Sequence, residues 1–302
     1  MAVKSIGIFN AFLMAALILF WGSSFVIVKI ALREGLTPFS VATYRFLIAG
    51  GLFIAILFCR KSLKKHSKLF IEKKDSLKLV LLALSGVTLF FAAQYTGIQM
   101  AGAAIAAILV CFLAPILITI SSTLILGEQL TRIQGLGIAT AAIGTLVVIA
   151  GGTLNIPRME SFLFGSLILL LTPVLWTGYS LLGKKTMEKY DPFLLTSYIT
   201  LFGGLLLIPF SLADNSLHLI LTMNLNSWLA ILFLATTCSL IGYYIWFYVL
   251  KQAGAVITSS FLFAEPLVTT LLAAALVGEE IRVSTIGGGL LIFIGVYLVT
   301  RK

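Results

Sequence analysis

Long apolar stretches alternate with short polar segments along almost the whole chain. Apolar stretches of roughly 18 or more residues with few charges are typical of membrane-spanning helices, because about 20 residues at ~1.5 Å rise cover a ~30 Å hydrocarbon core. Apolar and polar residues do not alternate in segments of about ten, so a transmembrane barrel is not indicated. The pattern predicts an all-α membrane protein with ten spans, at residues 10–32, 38–58, 77–98, 102–126, 132–151, 162–183, 193–213, 226–250, 255–277 and 284–299.

The composition agrees with a membrane environment. Of the 302 residues, 60% are hydrophobic and 11% are charged, whereas a soluble domain carries roughly a quarter charged residues. The net charge of +10 would favour a nucleic-acid partner in a soluble protein, but here the basic residues lie between apolar spans. We therefore expect a lipid bilayer, and no nucleic acid, as a partner. Cys59, Cys111 and Cys238 lie in apolar stretches without metal-ligand spacing, so no disulfide framework and no metal site is predicted.

The loops between the predicted helices differ in their content of lysine and arginine. Short cytoplasmic loops of membrane proteins carry an excess of these residues. Sixteen of the 21 basic residues lie at the two termini and in the loops on the same side, and only Arg33, Arg158 and Arg282 lie in the opposite loops. The bias predicts a multipass protein of the cytoplasmic membrane with both termini in the cytoplasm.

The second half of the chain repeats the first at a nearly constant offset. Ala101-Gly102-Ala103 matches Ala253-Gly254-Ala255. The most extended set of matches pairs Phe112, Pro115, Thr119, Gly127, Glu128, Gly137 and Gly144 with Phe263, Pro266, Thr270, Gly278, Glu279, Gly288 and Gly295. Five helices per half is an odd number, so the two copies must be inverted in the membrane. The sequence predicts two inverted five-helix repeats, residues 1–151 and 158–302. Inverted repeats let two halves exchange conformations around a central site, as transporters do.

Several motifs resemble one family of membrane proteins. They are Trp21-Gly22-Ser23-Ser24-Phe25, Pro38 with Arg45-Phe46, Ala101-Gly102-Ala103, and the turns Leu126-Gly127-Glu128 and Val277-Gly278-Glu279. Over essentially the whole chain they resemble the EamA-type carriers of the drug/metabolite transporter superfamily. The resemblance implies that helices one, three, four, six, eight and nine surround a cavity. Helices five and ten are then peripheral and are linked to dimer contacts, so a homodimer is an expectation of the resemblance.

Glu265 is the strongest candidate for a functional residue. It lies ten residues into the ninth span, ~15 Å along the helix axis, where a carboxylate costs ~2.5 kcal/mol or more and normally faces a cavity or a partner. One interpretation is a group that takes up a proton or binds a substrate amine. The other is a structural carboxyl that bonds a neighbouring helix next to Pro266. In the first half Ala114 stands in its place.

Arg45 lies about 10 Å from the outer end of the second helix. It could bind a substrate carboxylate through two hydrogen bonds, or be held as structure by helix carbonyls or an acidic partner. We favour the structural interpretation, because the second helix lines the cavity less directly in the family that the chain resembles.

Aromatic and polar residues on the same helices are further candidates. Aromatic rings could stack on apolar or cationic cargo, and hydroxyl and amide groups could orient polar cargo, although such residues also pack and bridge helices routinely. The candidates are Trp21, Ser24, Gln94, Tyr95, Trp176, Tyr179, Tyr243 and Trp246. Lys29 and Lys184 complement helix dipoles, and each Gly-Glu turn is expected to place its acid at the N-terminus of the following helix.

These observations favour a secondary transporter of a small metabolite, such as an amino acid or a derivative, with export favoured by the resemblance. A uniporter for another solute class, a channel and an intramembrane enzyme are the alternatives. No catalytic residues are predicted, because no span contains a histidine and no catalytic motif is present. No cofactor is expected either, since the segment from Gly178 to Lys184 lacks the strand and the Ser or Thr of a phosphate-binding loop.

Overall fold

The computed structural model describes residues 6–63, 70–150, 159–277 and 283–301, and most of these residues are helical. Ten described helices are long and apolar enough to cross a membrane, as the hydrophobic pattern predicts. The chain is thus a multipass membrane protein. The helices are α1 Ile8–Arg33, α2 Pro38–Leu63, α3 Lys73–Ala101, α4 Ala103–Leu126, α5 Arg132–Ala150, α6 Met159–Thr186, α7 Pro192–Ala213, α8 Leu225–Ala253, α9 255–277 and α10 Val283–Thr300.

Two sharp corners occupy matching positions in the two halves. α3 turns into α4 at Gly102, with φ +93° and ψ 157°, and α8 turns into α9 at Gly254, with φ +91° and ψ 169°. Residues with a Cβ rarely adopt this backbone conformation, so glycine is required at both corners. The two glycines are also partners in the sequence repeat, so the repeat is visible in backbone geometry at this position.

Each half also contains one wide helical turn that the hydrophobic pattern does not predict. Leu84–Thr88 in α3 and Leu234–Ile241 in α8 are π-helical. A π-helical turn departs from the i→i−4 hydrogen-bond pattern and occurs often at functional sites. α9 is also irregular, because Phe261–Ala264 forms a 3₁₀ turn directly before Glu265.

α5 and α10 pack against each other through glycines. A Cβ on Gly288 would lie 2.6 Å from the carbonyl oxygen of Gly144 and 2.7 Å from a methyl group of Val148. Small residues let two membrane helices approach until their backbones touch. Elsewhere on α10, Leu290 and Phe293 are exposed, as side chains that face lipid are. The homodimer that the resemblance implies stays a prediction.

The turn after α4 differs from the sequence expectation. The N-terminus of α5 is capped by Thr131 and Gln134, whose side chains accept hydrogen bonds from each other's backbone N–H groups. Glu128 therefore does not serve the following helix, and its carboxylate instead accepts hydrogen bonds from Ala255 and Val256 at the start of α9. The expectation was wrong because it considered only helices adjacent in sequence. The second Gly-Glu turn and the linker between the repeats lie outside the described residues.

A second polar cluster lies at the same end of the bundle as Glu128, where it joins α3 to the corner between α6 and α7. Lys189 binds Asp75 at 2.6 Å and Glu72 at 2.7 Å, and the Tyr190 hydroxyl donates to Asp75 at 2.8 Å. Hydrogen bonds from Lys189 and Lys74 lower the pKa of Glu72 from 4.5 to about 2. Its contribution to stability is complete above the ordinary pKa and is lost only as the pH falls towards 2.

The glycine contact between α5 and α10 yields a testable prediction. Gly288→Ala should destabilise the protein by roughly 1–3 kcal/mol, because the added methyl group has no room against α5. Gly287→Ala is the matched control, since a Cβ there meets nothing within 4 Å. Thermal unfolding in detergent measures both, and equal unfolding temperatures for the two variants would contradict the close packing.

Candidate functional site

A small cavity lies inside the bundle and is lined by helices from both halves. Its volume is about 40 Å³, which is room for roughly three water molecules. The lining helices are the six that the resemblance implies, α1, α3, α4, α6, α8 and α9, together with α2. The lining residues are Trp21, Ser24, Phe25, Arg45, Phe90, Phe91, Gln94, Val110, Cys111, Ala114, Trp176, Tyr243, Leu262 and Glu265.

Glu265 is buried in the wall of this cavity, with 5% of its surface exposed. The Cys111 thiol on α4 donates a hydrogen bond to its Oε2 atom at 3.2 Å. Pro266 follows and has no N–H group, so the carbonyl of Leu262 loses its helical partner. The residues directly before Glu265, Phe261–Ala264, form a 3₁₀ turn. In the described part of the structure no cation lies within ion-pair distance of this carboxyl.

Arg45 reaches the same cavity from α2 and is almost completely buried. Its Nε atom donates to the Ser239 hydroxyl at 2.6 Å, and its Nη1 atom donates to the Tyr95 hydroxyl at 2.5 Å. The guanidinium carbon lies 4.6 Å from the ring centroid of Phe91 and 5.0 Å from that of Phe46. Neutral hydroxyls and aromatic faces hold the guanidinium, so its positive charge has no carboxylate partner among the described residues. Arg45 thus lines the cavity and is held by hydroxyls and rings, where the structural interpretation expected helix carbonyls or an acidic partner. Its binding of a substrate carboxylate stays a prediction.

The wide turns of α3 and α8 receive side chains from the opposite half. Trp21 on α1 donates its indole N–H to the carbonyl of Cys238 at 2.9 Å. Tyr243 on α8 donates its hydroxyl to the carbonyl of Gly86 at 2.8 Å. A Cβ on Gly242 would lie 2.7 Å from Nε1 of Trp21, so glycine is needed for the first contact. Two cavity side chains are therefore oriented by the irregular backbone of the other repeat.

An aromatic cluster closes the cavity on the side that leads to Gly254. The Trp176 ring lies 5.3 Å from Trp21, 5.4 Å from Trp246 and 4.9 Å from Tyr179. Tyr179 and Trp246 are fully buried, and neither the Tyr179 hydroxyl nor the Trp246 indole N–H has a hydrogen-bond partner among the described residues. We call Trp176, Tyr179, Trp246 and Phe247 the aromatic floor.

The structure brings most of the predicted residues together. Those that line the cavity are Trp21, Ser24, Arg45, Gln94, Trp176, Tyr243 and Glu265. Tyr95, Tyr179 and Trp246 are not in the lining, because they stand behind it: Tyr95 holds Arg45, and the other two belong to the aromatic floor. The Ser24 hydroxyl donates to the carbonyl of Trp21 within its own helix at 2.7 Å.

Three contacts at the cavity are not predicted from the sequence. Cys111 bonds Glu265, Ser239 bonds Arg45, and Phe91 covers the guanidinium. Cys111 stands four residues before Pro115, in the half where Ala114 replaces Glu265, so the repeat alignment could have drawn attention to it. Nothing in the sequence marks Ser239 or Phe91, since their roles depend on how α2 packs against α3 and α8. No group of three or more potential metal ligands occurs among the described residues.

Comparison with known proteins shows what the chain is similar to. A model of the EamA-like transporter family matches it twice, at residues 7–150 and 163–301. An uncharacterized transporter of Archaeoglobus fulgidus is 33% identical, with 96% of each chain covered. A probable amino-acid metabolite efflux pump of Salmonella typhimurium is 26% identical, with 96% of this chain and 94% of that protein covered.

One crystal structure resembles the fold with a TM-score of 0.76 at 19% identity, covering 96% of this chain and 94% of the other. At that identity the likeness concerns the fold alone.

The support of Arg45 by Tyr95 can be tested against a matched tyrosine. Tyr95→Phe should destabilise the protein by about 1.5–3 kcal/mol, because a hydrogen bond to a charged group is lost. Tyr179→Phe should be neutral or stabilising, because it removes a buried hydroxyl for which the described residues offer no hydrogen-bond partner. Unfolding in detergent compares the two variants. A loss in Tyr179→Phe as large as that in Tyr95→Phe would contradict the assignment.

Proposed function

Because the chain belongs to the EamA-like transporter family, we propose that it is a secondary carrier that moves a small amphoteric metabolite, an amino acid or a derivative, across the cytoplasmic membrane by alternating access. The observation that carries this proposal is the cavity itself. Both halves line it, and it holds the carboxyl of Glu265 and the guanidinium of Arg45 without an ion pair between them.

Two opposite ionisable groups in one buried cavity favour a cargo that carries both charges. A buried charge without a partner is costly, and the costs of Arg45 and Glu265 are both reduced when a zwitterion binds. The guanidinium is suited to a carboxylate, because its planar donors match two oxygens. The ring faces of Trp21 and Trp176, which line the same cavity as Glu265, suit an ammonium group.

The size of the cavity supports a conformational cycle. Pockets for small molecules measure roughly 300–1,000 Å³, whereas this cavity has about 40 Å³. A metabolite therefore enters only after helices of the two halves move apart. An inverted-repeat carrier does this by opening one end of the bundle while the other end closes.

The direction of transport rests on separate support. The relative from Salmonella typhimurium carries the name of a probable amino-acid metabolite efflux pump, which favours export here. The excess of Lys and Arg on one side of the predicted spans supports termini in the cytoplasm. A facilitator that moves the same cargo without protons would use the same cavity.

Counterflow in proteoliposomes tests the proposal. Vesicles are preloaded with a pool of amino acids and related metabolites, and the exchanged compounds are identified by mass spectrometry. We expect exchange of amphoteric compounds and loss of that exchange in Glu265→Gln if the carboxylate binds the ammonium group. Glu160→Gln is the control, since Glu160 is exposed in the first turn of α6.

A second measurement separates substrate binding from proton coupling. Exchange at equilibrium needs no net proton movement, whereas uptake driven by a pH gradient does. If Glu265→Gln exchanges normally but loses gradient-driven uptake, Glu265 carries the proton and does not bind the cargo. If wild type exchanges no compound of the pool while folded in the membrane, the amphoteric cargo is wrong. Normal exchange and normal driven uptake in Glu265→Gln would leave Glu265 a purely structural role.

A further inference from the structure

Glu128 joins three helices at the end of the bundle that carries Gly254, which we call the inner end because the charge bias predicts that it faces the cytoplasm. Its Oε1 and Oε2 atoms accept hydrogen bonds from the N–H of Ala255 at 2.9 and 3.1 Å, and Oε2 also accepts from Val256 at 3.2 Å. It further forms an ion pair with Lys184 in the last turn of α6. A carboxylate at a helix N-terminus satisfies free N–H groups and interacts favourably with the helix dipole.

These contacts run between the two halves. Glu128 follows α4 in the first half, whereas Lys184 and α9 belong to the second half. α4, α6 and α9 all line the cavity, through Cys111, Trp176 and Glu265 among others. The cavity therefore cannot open between these helices at the inner end while the Glu128 contacts persist.

The aromatic floor lies between the cavity and Glu128. Along α6 the order is Trp176, Tyr179 and then Lys184, so Tyr179 is nearer the inner end than the cavity wall is. Tyr179 stacks on Phe247 with ring centroids 4.8 Å apart, and a Cβ on Gly183 would lie 2.5 Å from the Phe247 ring. The aromatic floor thus packs α6 closely against α8.

The aromatic floor is closely packed, but two of its polar groups lack hydrogen bonds to described residues. Within the described part of the chain the Tyr179 hydroxyl and the Trp246 indole N–H are buried without a protein hydrogen-bond partner, and burial of such groups disfavours the closed arrangement. Opening towards the inner end would give both groups access to water. A closed floor of this kind needs an opposing attraction, and the charged contacts of Glu128 supply one.

We propose that Glu128 is the latch of an inner gate: its carboxylate holds α4 to α6 and α9 beneath the aromatic floor, and the cavity opens to the inner side when these contacts break. The inference rests on the proposed carrier function and adds to it the residue that sets the balance between closed and open inner ends. Glu72, Asp75 and Lys189 also lie at this end, but they join α3 to the α6–α7 corner and do not contact α9.

Cys111 in the cavity wall is a built-in reporter for the gate. It is 1% exposed, so thiol reagents reach it only when the cavity opens. Cys59→Ser and Cys238→Ser in the full chain leave Cys111 as the single thiol. A membrane-impermeant methanethiosulfonate reagent is then added to inside-out vesicles or to intact cells, and the labelling rate of Cys111 is followed by mass spectrometry. Ser24→Cys, made with Cys111→Ala in the same background, provides a second reporter in the cavity lining.

We expect Glu128→Gln to raise the labelling rate from the inner side about tenfold, because the charge is lost while the side-chain volume stays the same. Labelling from the outer side should not rise. Lys184→Gln, which breaks the ion pair but leaves the bonds to α9, should give a smaller increase. Glu188→Gln is the matched control, because Glu188 is exposed at the same end and its carboxylate has no partner among the described residues.

Inner-side labelling of both reporters at the same rate in Glu128→Gln and Glu188→Gln would overturn the latch. A rise from both sides would also overturn it, since it would indicate general loosening of the fold. Labelling needs no substrate, so the two proposals fail separately. Faster inner labelling of Glu128→Gln, with no exchange of any pooled metabolite by wild type, would contradict only the amphoteric carrier. Exchange by wild type with unchanged labelling of Glu128→Gln would contradict only the latch.

Discussion

Hydrocarbon offers no hydrogen-bond partner to a backbone carbonyl or N–H group, so a membrane protein can depart from regular helix only where another part of the protein compensates. Within the described spans such departures include the π-helical turns of α3 and α8 and the 3₁₀ turn of α9. The first two receive Tyr243 and Trp21 from the opposite repeat. The irregular backbone is therefore one place where the two halves contact each other, and the two side chains bound there, Trp21 and Tyr243, also line the cavity.

The same constraint governs the ionisable groups. Arg45 stays buried because two hydroxyls and two aromatic rings surround its guanidinium, and Glu265 stays buried with a single thiol donor. Neither arrangement neutralises a charge with an opposite one. A site of this kind is stable enough to fold and remains attractive to a ligand or a proton, which a closed Arg–Glu ion pair would not be.

The two halves are held together differently at different depths. In the middle, aromatic packing and hydrogen bonds without ion pairs surround the cavity. At the inner end the contacts are ionic, with Glu128 on Lys184 and α9, and with Lys189 on Glu72 and Asp75. Ionic contacts near water are individually weak because water competes for both partners. Such contacts can be exchanged for solvent during a conformational cycle, whereas the glycine-tight contact of α5 with α10 is suited to staying closed.

The sequence by itself determined the ten helices, their approximate bounds and the family, because length and hydrophobicity decide which segments can span a bilayer. It also singled out Glu265, since an ionisable residue far inside an apolar span is costly wherever it points. Its repeat aligned Gly102 with Gly254 before their backbone angles were known.

Only the tertiary structure decided which partners these residues have. The sequence left the partners of Arg45 open, and packing of α2 against α3 and α8 gave it the hydroxyls of Tyr95 and Ser239. It assigned Glu128 to the following helix, whereas Thr131 and Gln134 cap that helix and the carboxylate crosses to α9. Tyr95, Tyr179 and Trp246 fell behind the cavity wall, because the side a helix turns to its neighbours depends on contacts far away in sequence. In a bundle that is apolar all round, hydrophobic periodicity carries little information about that choice.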